Sequence, residues 1–161
     1  MDLHIKMPVD FEPLRKNRFI LRFPSDLGIQ EWWVANTARP SMKINSTEIP
    51  WMNTSQYVAG RYTWDPVTVT LRDPIGPSAS QAVMEWVRLH AESVTGRMGY
   101  AVAYKRDLVL EMVDPVGTVV SEWILKSCQV TDVKFGDLSY KDDELAEITL
   151  TIQPFYCLLS Y

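Results

Sequence analysis

Residues 43–69 read KINSTEIPWMNTSQYVAGRYTWDPVTV, and this stretch decides the fold. It predicts a long β-hairpin arm, outward along residues 43–51 and back along residues 56–62, that leads directly into a buried strand. A turn is predicted at Asn53-Thr54-Ser55. Because so long an arm extends beyond the core of a small domain, we expect its apolar side chains to contact another subunit. These side chains are Ile44, Ile49, Trp51, Met52, Tyr57 and Val58.

The strand that follows the arm shows a clear alternation of apolar and polar residues. Val67, Val69 and Leu71 alternate with two threonines and an arginine, which predicts one buried and one polar face. The strand predicted over residues 146–155 alternates in the same way, and its polar face holds Glu147, Thr149, Thr151 and Gln153. That face either meets solvent or lines a channel. Further strands are predicted over residues 18–23, 29–37, 102–106, 107–113, 118–125 and 127–135.

One amphipathic helix is predicted over residues 78–93. Ser78 and Gln81 have the spacing of a capping box at its start. Apolar residues recur behind them at helical spacing, which gives the helix one buried face. They are Ala79, Ala82, Val83, Trp86 and Val87, with His90 on the same face.

The count of many strands and one helix predicts a mainly β protein. We expect two packed antiparallel sheets, a β-sandwich or barrel, with one flanking α-helix and the protruding hairpin arm. The 161 residues suffice for one domain with a substantial core. We place this single domain at residues 18–161, after a Pro-punctuated N-terminal arm at residues 1–17.

Composition and charge exclude several classes of function. Apolar residues make up 47% and charged residues 22%, which is typical of a folded protein rather than a disordered one. The net charge is −4, and no run of Lys and Arg exceeds two residues, so no basic patch for gripping nucleic acid is evident. No secretion signal or long apolar run is recognisable, so we expect a soluble protein made in a cytosol, without membrane insertion.

A search for catalytic, metal or cofactor residues yields no candidate set. His4 lies in the N-terminal arm, and His90 is expected to pack in the core or at an interface. Cys128 and Cys157 are expected to be buried free thiols rather than a disulfide. No sequence motif for a metal or nucleotide site is present. The acidic residues 142–144 could hold a cation or act as paired carboxylates, but an exposed turn is the favoured interpretation.

The chain resembles the tail tube proteins of contractile-tailed bacteriophages. Four blocks carry this resemblance, in the family's order and over roughly residues 17–156. The first is NRFILRF at residues 17–23, and the second is VAGRYTWDPVTVT at residues 58–70. The third is the helix with its central Glu-Trp, and the fourth is the region 125–155 with its acidic turn and closing strand.

The resemblance implies a structural virion protein and no enzyme. In that family, hexameric rings stack into the hollow inner tail tube, and neighbouring sheets join into a continuous barrel. The implied partners are further copies of the chain and the tail sheath, baseplate and tail-terminator proteins. Tape-measure protein and DNA would pass through the lumen without specific binding. The implied location is the virion tail, assembled in the bacterial cytoplasm, with residues 147, 149, 151 and 153 as lumen candidates.

Three alternatives remain open at this point. The chain could be the baseplate protein that initiates the tube, or the inner tube of a contractile injection system. A carbohydrate-binding or other ligand-binding β-sandwich is the alternative from another class, with Trp32, Trp33 and Trp51 as stacking platforms. Among the function classes, an enzyme ranks third, after the structural protein and the ligand-binding protein.

Overall fold

The computed structural model describes residues 7–161 and shows a mainly β protein, as predicted. Two short 3-10 turns, Ser25–Leu27 and Glu31–Trp33, connect the first two strands. Two helices are present, α1 (Ala79–His90) and α2 (Ala101–Tyr104). The strands are β1 (Phe19–Arg22), β2 (Val34–Asn36), β3 (Met42–Trp51), β4 (Thr54–Trp64), β5 (Val67–Arg72), β6 (Arg106–Val113), β7 (Val119–Lys134), β8 (Glu147–Gln153) and β9 (Tyr156–Leu159).

Seven of the strands form one curled antiparallel sheet. Its order is β1-β6-β7-β8-β5-β2, with β9 pairing with β7 beside β8. The long strand β7 connects the two halves of this sheet, because it pairs with β9 at residues 123–126 and with β8 at residues 129–134. The arm, β3–β4, is a separate two-stranded sheet.

The core lies inside the curled sheet and beneath α1. Alternate residues of β5 and β8 are buried, as their sequence pattern predicts. Helix α1 covers the core with Ala79, Val83 and Trp86. Ser78 caps this helix by accepting a hydrogen bond from the Gln81 N–H, and the Ser80 hydroxyl donates to Asp73 Oδ2 at 2.6 Å.

The region after α1 differs from its prediction. The helix ends at His90 rather than at residue 93, because the chain folds back and the Gly99 N–H donates to the His90 carbonyl. A glycine is required there, since a Cβ at Gly99 would lie 2.0 Å from the Leu89 carbonyl oxygen. The prediction of a strand at residues 102–106 is wrong, because helix α2 occupies this position. Residues 7–161 therefore contain two helices, whereas one was predicted.

The two strands predicted at residues 118–125 and 127–135 are one continuous strand, β7. Ser127 adopts a φ of 50° in a β-bulge, and its N–H donates to Asp107 Oδ1 at 2.9 Å. This hydrogen bond stabilises the bulge, so β7 continues past Ser127 although this residue is polar.

Smaller differences concern β2, the C-terminal strand β9 and the N-terminal arm. Only residues 34–36 of the strand predicted at 29–37 form a strand, because Glu31–Trp33 form a 3-10 turn. Strand β9 after Pro154 was not predicted. The part of the N-terminal arm before residue 7, with His4, lies outside the described residues, and residues 7–17 contain no helix or strand.

Candidate assembly surface

The arm is a regular ribbon with apolar side chains on both faces. The register pairs Ile49 with Gln56 and Thr47 with Val58, so Ile49, Trp51 and Val58 share one face. Tyr57, opposite Glu48, lies on the other face, and Met52 is at the tip turn with a φ of 50°. The turn therefore falls at residues 52–53, one to two positions earlier than predicted.

All six side chains predicted to contact another subunit are exposed in the single chain. Trp51 is 70% and Met52 is 87% exposed, and the other four, Ile44, Ile49, Tyr57 and Val58, are between 41% and 65% exposed. Tyr62 is a further exposed aromatic residue of the arm, opposite Ile44, and it is not among the residues predicted to contact another subunit. The ribbon therefore presents exposed apolar side chains on two faces, a pattern typical of interaction surfaces.

The arm has a β-bulge at Gly60. The register shifts between Ile44 and Ser46, and a Cβ on Gly60 would lie 3.2 Å from the Asn45 carbonyl oxygen. Glycine thus permits the close approach of the two strands there. The bulge separates the outer part of the ribbon from its base.

The base of the arm is fastened to the curled sheet. Gln153 Nε2 donates hydrogen bonds to the Trp64 carbonyl at 2.9 Å and to the Pro154 carbonyl at 3.0 Å. Trp64 also packs edge-on against Trp123 of β7, with ring centroids 6.5 Å apart. Gln153, predicted to face the lumen, is therefore used to hold the arm in place.

The polar side of β8 continues across its neighbours. Glu147, Thr149 and Thr151 lie opposite Arg72, Thr70 and Thr68 of β5. On the other side Lys134 lies opposite Thr149, and Asp132 lies opposite Thr151. Two cations and two carboxylates thus share a surface otherwise dominated by hydroxyl groups. Its charges balance, and the two cations and Asp132 come from strands that the sequence alone did not place beside β8.

His90 links the helix to the sheet. Its Nδ1 lies 3.0 Å from the Trp86 carbonyl, and its Nε2 accepts a hydrogen bond from the Val130 N–H at 3.1 Å. The ring also stacks on Tyr104 with centroids 4.3 Å apart. Burial lowers the pKa of His90 below its usual value, and Arg106 acts in the same direction. The neutral imidazole is therefore a packed structural group, as predicted.

The remaining candidate residues separate into buried and exposed ones. Cys128 and Cys157 are buried free thiols, as predicted, and burial raises the pKa of Cys128 to about 12. Trp33 is 1% exposed and cannot act as a stacking platform, whereas its neighbour Trp32 is 59% exposed. The acidic residues 142–144 lie in an exposed loop directly after a turn at residues 140–141. In residues 7–161 no cluster of three or more His, Cys, Asp or Glu side chains is suited to hold a metal ion.

A large open groove was missed by the sequence analysis. Its volume is about 1430 Å³, and it lies between β1 and β2, the two ends of the curled sheet. Apolar residues form much of its lining, including Phe19, Ile29, Val34, Leu110 and Met112, and four cations also line it: Arg15, Lys16, Arg39 and Arg72. These cations are far apart in the sequence, so only the fold reveals them as a group.

Comparison with solved structures identifies the fold. The chain is similar to the tube-terminating cap of the anti-feeding prophage, with a TM-score of 0.75, 15% identity, and 99% of each chain covered. It is also similar to a chain of the sheath/tube terminator of the extracellular contractile injection system PVC, with a TM-score of 0.74, 12% identity, and coverage of 96% and 100%.

A chain of the PVC sheath–tube complex in the extended state gives a TM-score of 0.72 at 12% identity, with coverage of 94% and 93%. No protein-family model and no curated protein sequence matches. The fold is therefore that of chains from contractile injection systems, which agrees with the tail-tube resemblance seen in the sequence. Among the residues described, no helix has the length and apolarity needed to cross a membrane.

Proposed function

We propose that this protein is a structural subunit of the tube of a contractile tail or injection machine. Its copies form hexameric rings, and the rings stack into a hollow tube. The observation that carries this proposal is the arm, a ribbon with large exposed apolar side chains on both faces, attached to a fold found in contractile injection systems. A monomer gives such a ribbon nothing to pack against.

The two faces of the arm support two different contacts. We assign the face with Ile49, Trp51 and Val58 to one neighbouring copy and the face with Tyr57 to a second copy, in the same ring or the next. Burying one such aromatic or aliphatic side chain stabilises the contact by about 2–3 kcal/mol. Repetition around each ring and along the axis multiplies this contribution.

We assign the polar side of β5 and β8 to the lumen. Its hydroxyl groups and balanced charges offer phosphates little net attraction, and few counterions would be released on contact. DNA and tape-measure protein, or a protein cargo in an injection machine, would slide past such a surface. The outer partners in this proposal are sheath, baseplate and terminator proteins, and the location is the tail of a virion or of a related particle.

A terminating or initiating ring is the second candidate. It is supported by the near-complete mutual coverage with the tube-terminating cap and by the similarity to a chain of a baseplate structure. Both roles use the same fold and differ in whether rings add to each other without limit.

Electron microscopy of the purified protein separates these roles. Long rods of uniform width are expected for a tube subunit, whereas single rings indicate a terminator or initiator. A protein that remains monomeric at all concentrations, and binds glycans through Trp32 or Trp51, would contradict the structural proposal and favour the ligand-binding alternative.

A further inference from the structure

The groove between β1 and β2 is an open seam in the curled sheet. Within the described residues, β1 pairs only with β6 and β2 pairs only with β5, so each presents an edge without a strand partner. Such edges accept an added extended segment, whose main chain completes the hydrogen bonding. The lining also includes two exposed apolar side chains, Leu14 at 51% and Trp32 at 59%, so an incoming segment with apolar side chains gains buried contact area.

Three of the four cations of the groove have no carboxylate partner. No Asp or Glu of residues 7–161 forms an ion pair with Arg15, Lys16 or Arg39. The fourth, Arg72, lies opposite Glu147 and donates a hydrogen bond to the Trp32 carbonyl at 3.2 Å. Glu31, the one carboxylate in the lining, lies 3.6 Å from Arg22. The groove therefore combines three cations that lack an ion pair with exposed apolar side chains.

The loop between β7 and β8 has the complementary composition. Residues 137–145, DLSYKDDEL, contain four carboxylates and one lysine, and none of these charged groups is in an ion pair within the described chain. Leu138, Tyr140 and Leu145 are strongly exposed, at 90%, 112% and 73%. Tyr140 lies in a turn in which the Asp142 N–H donates to the Ser139 carbonyl, so the loop presents its apolar side chains around an exposed turn.

We propose that the loop 137–145 of one copy docks into the β1–β2 groove of the next copy. Leu138 and Tyr140 pack on the apolar lining residues Leu14 and Trp32, and the carboxylates of residues 142–144 meet Arg15, Lys16 and Arg39. Donor loop and acceptor groove are different surfaces of one chain, so the contact is head-to-tail, which closes into rings when the rotation permits. This inference rests on the proposed tube function and names a ring contact separate from the arm.

Charge reversal provides the test. The reversed-loop chain carries Asp142→Lys, Asp143→Lys and Glu144→Lys, and the reversed-groove chain carries Arg15→Glu, Lys16→Glu and Arg39→Glu. Like charges then face each other in each homogeneous preparation, and we expect the midpoint concentration of assembly to rise about 100-fold or more. An equimolar mixture pairs each loop with an opposite groove, and we expect assembly to return.

The matched control for the reversed-loop chain is Asp10→Lys, Glu85→Lys and Glu92→Lys, which makes the same change of net charge at exposed residues outside the loop and outside the groove lining. Its assembly should equal that of the wild type. Normal assembly of the reversed-loop chain, or failure of the mixture to assemble, would overturn the loop–groove contact while leaving the tube proposal intact. Absence of wild-type rods and rings would instead contradict the proposed function.

A peptide experiment tests the contact whether or not tubes form. A labelled peptide of residues 136–146 should bind the reversed-loop chain, whose groove stays unoccupied by its own copies, and 0.5 M salt should weaken this binding. A scrambled peptide of the same composition is the control. No binding, or binding only of a peptide spanning the arm at residues 46–59, would overturn the assignment of the occupant.

Discussion

The arm β3–β4 leads directly into β5, but the arm and the strand pair β5–β8 are held in different ways. Every residue of β3 is exposed, and the ribbon is shaped by its own ladder and by the bulge at Gly60. In β5 and β8 alternate residues are buried, and Leu71, Ile148 and Leu150 are 0% exposed. Similar β-forming residue types are thus exposed in one region and buried in the other, and in the proposed tube the first would serve assembly and the second stability. Substitutions should separate these two properties.

Deleting Glu48–Gln56 should have the largest effect. The deletion removes Ile49, Trp51 and Met52 and the ladder that positions Tyr57 and Val58, while the curled sheet keeps its core, so we expect a soluble monomer. Sedimentation and electron microscopy measure the assembly, and the melting temperature, close to that of the intact chain, is the control for folding. Intact rods from the deleted chain would show that the arm does not drive assembly.

A matched pair of alanine substitutions tests the separation of stability and assembly. Leu150→Ala leaves a cavity in the core, and we expect it to lower the free energy of unfolding by about 2–5 kcal/mol. Trp51→Ala should change this free energy by less than about 0.5 kcal/mol, because the indole is exposed in the monomer. Denaturant unfolding of the dilute monomer gives both values.

The assembly of the two alanine variants should show the opposite order. Trp51→Ala should impair rod formation at temperatures where Leu150→Ala remains folded and still assembles. If Trp51→Ala destabilised the monomer as much as Leu150→Ala, the arm would be part of the core, and the comparison between the two regions would fail.

The sequence was informative wherever a pattern is local. Alternation in Val67–Arg72, the cap at Ser78 and the apolar arm residues predicted their elements because each depends on neighbours a few positions away. Helix α2, the continuity of β7 and the role of Gln153 depend on contacts between distant residues, such as Asp107 with Ser127. The groove was missed for the same reason, since its cations converge only when the sheet curls.

Acid should weaken the helix–sheet contact and spare the arm. The pKa of His90 is lower in the folded chain than its usual value of 6.5, so the unfolded chain binds the proton more readily. The stabilising effect of neutral His90 is therefore complete above pH 6.5 and is lost as the pH falls from 6.5 to the lower folded pKa. Unfolding of the monomer measured from pH 8 to pH 5 should show this decline.

His90→Gln removes the titrating group, so the corresponding part of the pH dependence should disappear. In this variant the Val130 N–H no longer lies against a ring nitrogen that becomes protonated at low pH. An unchanged pH profile in this variant would show that other groups cause the acid sensitivity.

Glu147→Lys should have the smallest effect on the isolated protein. Glu147 is exposed at the start of β8, opposite Arg72, so its replacement should leave folding and tube formation unchanged. If this side lines the lumen, the added positive charge repeats around every ring and attracts phosphates, and delivery of DNA should be impaired. Glu92→Lys on the helix side is the matched control, and normal delivery by both variants would exclude Glu147 from the lumen.

The junction between the arm and the curled sheet also has a mechanical consequence. β4 continues into β5 through Asp65 and Pro66, and β5 is paired with β8 from Val67–Ile152 to Arg72–Glu147. Tension in the arm along the direction of β5 would load these cross-strand hydrogen bonds together in shear, rather than peel them apart in sequence. A lattice built through such arms could carry force between subunits while each sheet yields little. In the proposed tube, stiffness would then depend on the direction in which the strands are pulled.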